Sequence, residues 1–192
     1  MVSAGLAQTP LAYTLLIVTT IASLYALLVD KDFARGGVFS VGGVRSGQWW
    51  RMITPAFLHA DLGHLLVNMI TLYFFGPAVE MFFGTAGLLV IYLGSQLAAQ
   101  GYTLSRKRDD LTYQALGASG AVSGVVLAFC TVAPTTLLYL FFAIPIPAFV
   151  FAIGYVAYST LAMGSGGRIA HEAHLGGAIG GLILALLLPT AG

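Results

Sequence analysis

The sequence predicts an all-α polytopic membrane protein, a bundle of six transmembrane helices, on three observations. Only 8% of its residues are charged and 58% are hydrophobic, whereas a soluble domain carries roughly 25% charged residues. The mean hydropathy is +0.91, so the chain cannot cover a globular surface with polar groups and the bilayer is its solvent. Apolar stretches near the ~20 residues that a helix needs to cross a ~30 Å hydrocarbon core recur along it. The 192 residues make one membrane domain, 1–192.

The elements follow in order. MVSAGLAQTP has no Lys or Arg, so it lacks the charged region of a signal peptide, and the first apolar stretch, Pro10–Val29, reads as a retained span. The stretch from Asp30 to Pro55, with Lys31, Asp32, Arg35, Arg45 and Arg51, reads as a long loop whose Trp49 and Trp50 suit the membrane interface. A second span runs from about Leu62 to Phe82, starting after Asp61 and carrying Glu80 near its far end. The turn FGTAG (Phe83 to Gly87) leads to a third, Leu88 to Leu104, closed by SRKRDD. No charge occurs from Leu111 to Gly167, which is too long for one helix; Pro134, Pro145 and Pro147 interrupt it, since proline removes a helical hydrogen bond. Spans near Gly117 to Val132 and Pro147 to Met163 result, joined by an interfacial or partly re-entrant connector. The last covers about His171 to Leu188.

Parity then places the polar residues. Spans two, four and six begin on one face, so His64 and Asn68, Ser119, and His174 all lie at a similar shallow depth below one surface. His64 and Asn68, four apart, share a helix face. Ser119 lies in GASGAVSG and His174 in AHEAHLGGAIGG. The bland reading makes Ser119 a small packing residue bonded to a carbonyl one turn back, Asn68 an interhelical hydrogen-bonding group, and His174 a neutral imidazole bonded to a neighbouring helix. The functional reading makes His174 the base that a serine nucleophile needs, because an ionisable group inside a span is expensive. The pairs Gly120/Gly124 and Gly177/Gly181 would let spans four and six approach closely. His64, Asn68 and the backbone N–H of Ser119 could then donate to an oxyanion. His59 reads as a structural hydrogen-bonder. A metal is the competitor, with His59, His64, His171, Glu172 and His174 as ligands, but HEAH is one residue short of His-Glu-x-x-His, so no metal and no cofactor is expected. Cys130 packs as a small hydrophobe. The net charge of +1 argues against a nucleic-acid partner.

Five segments in order resemble the rhomboid family of intramembrane serine proteases: QWWR (Gln48 to Arg51), HADLGHLLVN (His59 to Asn68), GPAVE (Gly76 to Glu80), GASG, and AHLGGAIGG. The resemblance spans about Gln48 to Gly181. It implies a six-helix rhomboid-like bundle and a catalytic Ser119–His174 dyad with no third acid. It also implies an oxyanion hole of His64, Asn68 and the Ser119 N–H. The substrates implied are transmembrane segments of other proteins, cut where the backbone is loosened, within a multi-pass protein of the bacterial inner (plasma) membrane. The glycine-rich stretch Gly164 to Ala170 would cap the site. Natural substrate and oligomeric state are not written in the sequence.

Two departures stand out. Ser123, one turn after Ser119, occupies a position where family members often carry an aromatic residue stacked on the histidine. All eight Lys and Arg residues fall on the catalytic face, which the positive-inside rule would make cytoplasmic; the resemblance implies the opposite orientation, which is preferred here. The rival functions are a catalytically weak or inactive rhomboid-like protein that binds membrane clients, and a small-molecule transporter. Polar groups near one surface rather than at the midplane argue against the latter.

Overall fold

The computed structural model describes residues 8–140, 143–163 and 170–191, and these are mostly helical. Pro10 opens α1 (Pro10–Leu28), where its missing N–H would have had no intrahelical partner. The second span's Glu80 supplies what the start of α1 lacks. Its carboxylate, 2% exposed, accepts the N–H groups of Leu11 and Ala12 at 3.1 and 2.7 Å and the Thr85 hydroxyl at 2.8 Å.

The segment expected as a loop is built from short elements. Asp30 caps α2 (Lys31–Gly37), accepting from Asp32 and Phe33 N–H. Strand β1 (Phe39–Ser40) leads into α3 (Val41–Arg45), capped by the Ser40 hydroxyl. Two 3₁₀ turns, Trp49–Met52 and Thr54–Phe57, follow. Arg51 staples the segment: its Nη1 donates to the carbonyls of Arg35 and Val38 at 2.9 and 2.7 Å, and its Nε to Gln48 Oε1 at 2.5 Å. Contacts of this kind, from side chain to distant backbone, leave no periodic trace in a sequence.

Asp61 caps α4 (Leu62–Arg106), accepting the His64 N–H at 2.8 Å. The helix is broken at Gly84, whose φ of 71° and ψ of 172° are non-helical. The chain reverses there. A Cβ on Gly117 would strike His64, and one on Gly120 would lie 2.5 Å from Ala99. On a straight helix His64 and Ala99 would be roughly 50 Å apart at 1.5 Å per residue, yet they lie against Gly117 and Gly120, on either side of the next helix's first residue. The break falls inside the expected FGTAG turn.

Strand β2 (Gln114–Ala115) pairs antiparallel with β1 and feeds α5 (Ser119–Val132). The apolar connector after it forms an antiparallel hairpin, β3 (Leu137–Leu140) with β4 (Ile144–Pro147), where the sequence had suggested only an interfacial or re-entrant piece. Then come α6 (Ala148–Leu161) and α7 (His171–Leu187). By length and composition α1 and α4 suffice to cross a membrane; α5, α6 and α7 are apolar but shorter. The expected cap, Gly164 to Ala170, lies outside the described residues except for Ala170.

The closest packing is among α4, α5 and α7. One buried cluster runs through Ala12, Leu72, Leu88, Ile91, Tyr92 and Val125. A second links α5 to α6 and α7 through Val126, Leu127, Cys130 and Ala178. The α5–α7 contact is backbone to backbone: a Cβ on Gly177 would strike the Gly120 carbonyl, and one on Gly181 the Gly124 carbonyl. The expected small-residue seam is present.

Candidate active site

Ser119 is the first residue of α5, half-buried. The turn before it is held from outside. The Ala118 N–H donates to His59 Nε2 at 3.4 Å, and His59 Nδ1 lies 2.9 Å from Ser23 Oγ. The Ser23 hydroxyl gives its hydrogen to the Phe57 carbonyl at 3.1 Å, so it accepts from Nδ1, and the network assigns the proton to that nitrogen. His59 is thus the structural hydrogen-bonder expected, linking α1, the loop and the turn that carries Ser119. Burial, reinforced by His64 and opposed by Asp61, pushes His59 down to about 3, so the imidazole is neutral near pH 7.

His64 projects from the first turn of α4 against Gly117, whose φ of +144° favours glycine and whose missing side chain leaves space for the ring. The His64 ring meets His59 edge-on, with centroids 5.1 Å apart and planes at 82°. Asn68 lies one turn further along, 4% exposed, and its Nδ2 donates to the His64 carbonyl at 2.9 Å. One of its two amide hydrogens remains. The Ser119 N–H, at a helix start, meets no acceptor among the described residues, as is general for the first N–H groups of a helix.

His174 sits in the first turn of α7, where the glycine seam brings that helix against α5: a Cβ on Gly120 would lie 3.5 Å from the Ala173 carbonyl. Its ring is parallel to Tyr155 of α6 (centroids 6.4 Å, planes at 18°) and edge-on to His171 at 6.2 Å. No hydrogen bond joins Ser119 Oγ to His174 in this structure. Beside His171, Glu172 accepts an ion pair from Lys107 at 2.9 Å, which ties the end of α4 to the start of α7. Among the described residues no group of three or more His, Cys, Asp and Glu is arranged to hold a metal ion.

Two residues escaped the sequence reading. Tyr155 stands on His174, where Ser123 had seemed to leave the imidazole without an aromatic neighbour. Its hydroxyl is 2.5 Å from Ser123 Oγ. A tyrosine in an apolar helix needs a partner for its hydroxyl, and that need is the signal that could have linked the two spans. Gln96, fully buried on α4, has both amide atoms unpaired among the described residues and lies beside Gly120.

Comparison with known proteins gives a consistent result. Residues 46–190 match the Rhomboid domain. The chain is 36% identical over 157 residues to RHOMBOID-like protein 12, mitochondrial, of Arabidopsis thaliana, covering 73% of this chain and 47% of that one. It is 34% identical over 152 residues to Rhomboid protease GluP of Bacillus subtilis (78% and 28%). It is 31% identical over 138 residues to human Presenilin-associated rhomboid-like protein, mitochondrial (68% and 36%). In each case the match spans less than half the relative's own length.

Proposed function

The chain belongs to the rhomboid family, an integral membrane protein family, and on that premise we propose that it is an intramembrane serine endopeptidase. Six spans serve the reaction: α1, the two halves of α4 on either side of Gly84, α5, α6 and α7. The clients are membrane proteins cut within or beside a transmembrane segment. The bacterial inner membrane is the setting proposed, with the site facing away from the cytoplasm.

Ser119 Oγ attacks a substrate carbonyl while His174 takes its proton, forming the Oγ–carbon bond and a negative oxygen. The Ser119 N–H, His64 and the spare hydrogen of Asn68 donate to that oxygen. The peptide C–N bond breaks as His174 returns the proton to the leaving amine. Water, deprotonated by His174, then cleaves the acyl-enzyme and regenerates Ser119. That water needs polar company, and the Gln96 amide of α4, unpaired among the described residues, lies beside Gly120, the residue after Ser119. A scissile carbonyl bonded within a helix cannot accept the nucleophile, so substrates with small or helix-breaking residues near the cut are favoured.

The carrying observation is the glycine seam, which sets the first turns of α5 and α7 side by side with His64 against Gly117. The unmade Ser119–His174 bond favours a second reading, a client binder without proteolysis, although catalytic hydrogen bonds often tighten only with substrate bound. A fluorophosphonate probe on the detergent-solubilised protein separates the two. Labelling of the wild type, lost in Ser119→Ala and His174→Ala, with cleavage of a model transmembrane substrate lost in the same variants, is the expected result. Equal labelling of Ser119→Ala, or near-normal cleavage by His174→Ala, would overturn the dyad.

A further inference from the structure

Three rings form a column at the site. Phe151 and Tyr155, one turn apart on α6, have centroids 5.8 Å apart and planes at 24°; Tyr155 and His174 follow at 6.4 Å and 18°. Both pairs lie in the range of offset stacking. Only Ala148 and Ser159 of α6 are fully buried, but Tyr155 packs against the cluster of Val126, Leu127, Cys130 and Ala178, a contact that holds the ring without fixing its hydroxyl.

A hydrogen-bond chain fixes the hydroxyl. Ser123 Oγ lies 2.6 Å from the Ser119 carbonyl and 2.5 Å from the Tyr155 hydroxyl. A serine hydroxyl has one hydrogen. Ser123 gives it to the Ser119 carbonyl, so Tyr155 is the donor to Ser123. The ring that covers His174 is therefore anchored, through one serine, to the backbone of Ser119.

We propose that Tyr155 is a positioning residue that orients the His174 imidazole toward Ser119, with Ser123 as its anchor. An imidazole turning about its Cβ–Cγ bond has broad, roughly two-fold freedom. A parallel ring against one face holds the imidazole to one plane and removes the orientations turned out of it. The inference rests on the Ser119–His174 reading, and it makes Ser123 a working part of the site rather than a deficit.

The test uses the full chain in proteoliposomes with a model transmembrane substrate. Tyr155→Leu is expected to lower kcat about ten-fold, the upper part of what one aromatic pair contributes, with KM unchanged. Tyr155→Phe keeps the ring and should lose only about two- to three-fold, as should Ser123→Ala. In nitrogen-15 histidine spectra, the ring signals that vanish in His174→Ala should move in Tyr155→Leu and stay near their wild-type positions in Tyr155→Phe. Equal kcat in Tyr155→Leu and wild type, or equal losses in the Leu and Phe variants, would overturn the proposal. If Tyr155→Leu does not fold, the double variant Tyr155→Phe, Ser123→Ala replaces it; no loss beyond that of either single change supports one shared chain, and multiplied losses refute it. If the wild type proves inert, the dyad reading fails and the spectra alone decide: moved His174 signals uphold the positioning role and unmoved ones reject it.

Discussion

Gly117 meets two demands at once, a backbone turn with φ of +144° and a ring of His64 where a side chain would stand. The sequence displays the glycine but not the reason for it. Asn68 is the converse case, legible because His64 lies four residues before it on the same face. Its remaining amide hydrogen predicts a partial defect: Asn68→Ala should slow substrate cleavage by about 10²–10³, the usual cost of one oxyanion donor, and less than Ser119→Ala. Single-turnover cleavage would measure it, and a wild-type rate would remove Asn68 from the oxyanion hole. His59 makes a prediction in pH. Its folded value of about 3 lies below the ordinary 6.5, so the unfolded chain takes up a proton first as pH falls. Stability from this residue is complete above about 6.5 and declines from there toward 3. Thermal unfolding in detergent between pH 7 and 5 should show a steeper loss in the wild type than in His59→Gln; parallel curves would count against it.

Among the helices, the α5–α7 seam was readable because Gly120/Gly124 and Gly177/Gly181 repeat a spacing that close packing requires. The break at Gly84 was readable from FGTAG. Three features were not. The β3–β4 hairpin is apolar on both strands and offers no alternation to distinguish it from a helix. The short elements between Asp30 and Pro55 depend on distant carbonyls that Arg51 finds only after folding. Tyr155 matters through Ser123, a residue on a different helix. The seam predicts that Gly177→Val, which forces a side chain into the Gly120 carbonyl, lowers thermal stability and cleavage together. Gly36→Ala, with open space around it, should leave both unchanged. A stable, active Gly177→Val protein would mean that α5 and α7 do not depend on this contact.

For the whole molecule, composition decides solvent and motif order decides family, while orientation rests on conflicting signals. By the span parity read from the sequence, the eight Lys and Arg residues are expected on the face of Ser119, and a cytoplasmic placement would follow from charge alone. The proposed orientation puts that face outside and the end of α7 inside. A reporter fused after Gly192 should therefore read cytoplasmic in cells, and an extracytoplasmic signal would reverse the assignment.

Glu80 has a consequence in time. Synthesis runs from the N-terminus at roughly 5–20 residues per second, so the whole of α1 is made before residue 80. Until then the amides of Leu11 and Ala12 lack the carboxylate that later receives them. The first helix therefore enters the bilayer as a free-standing segment and docks only when the second has been translated to its far end. A nascent chain stalled short of Glu80 would hold α1 inserted but unanchored, so the last step in seating the first helix is written in the second.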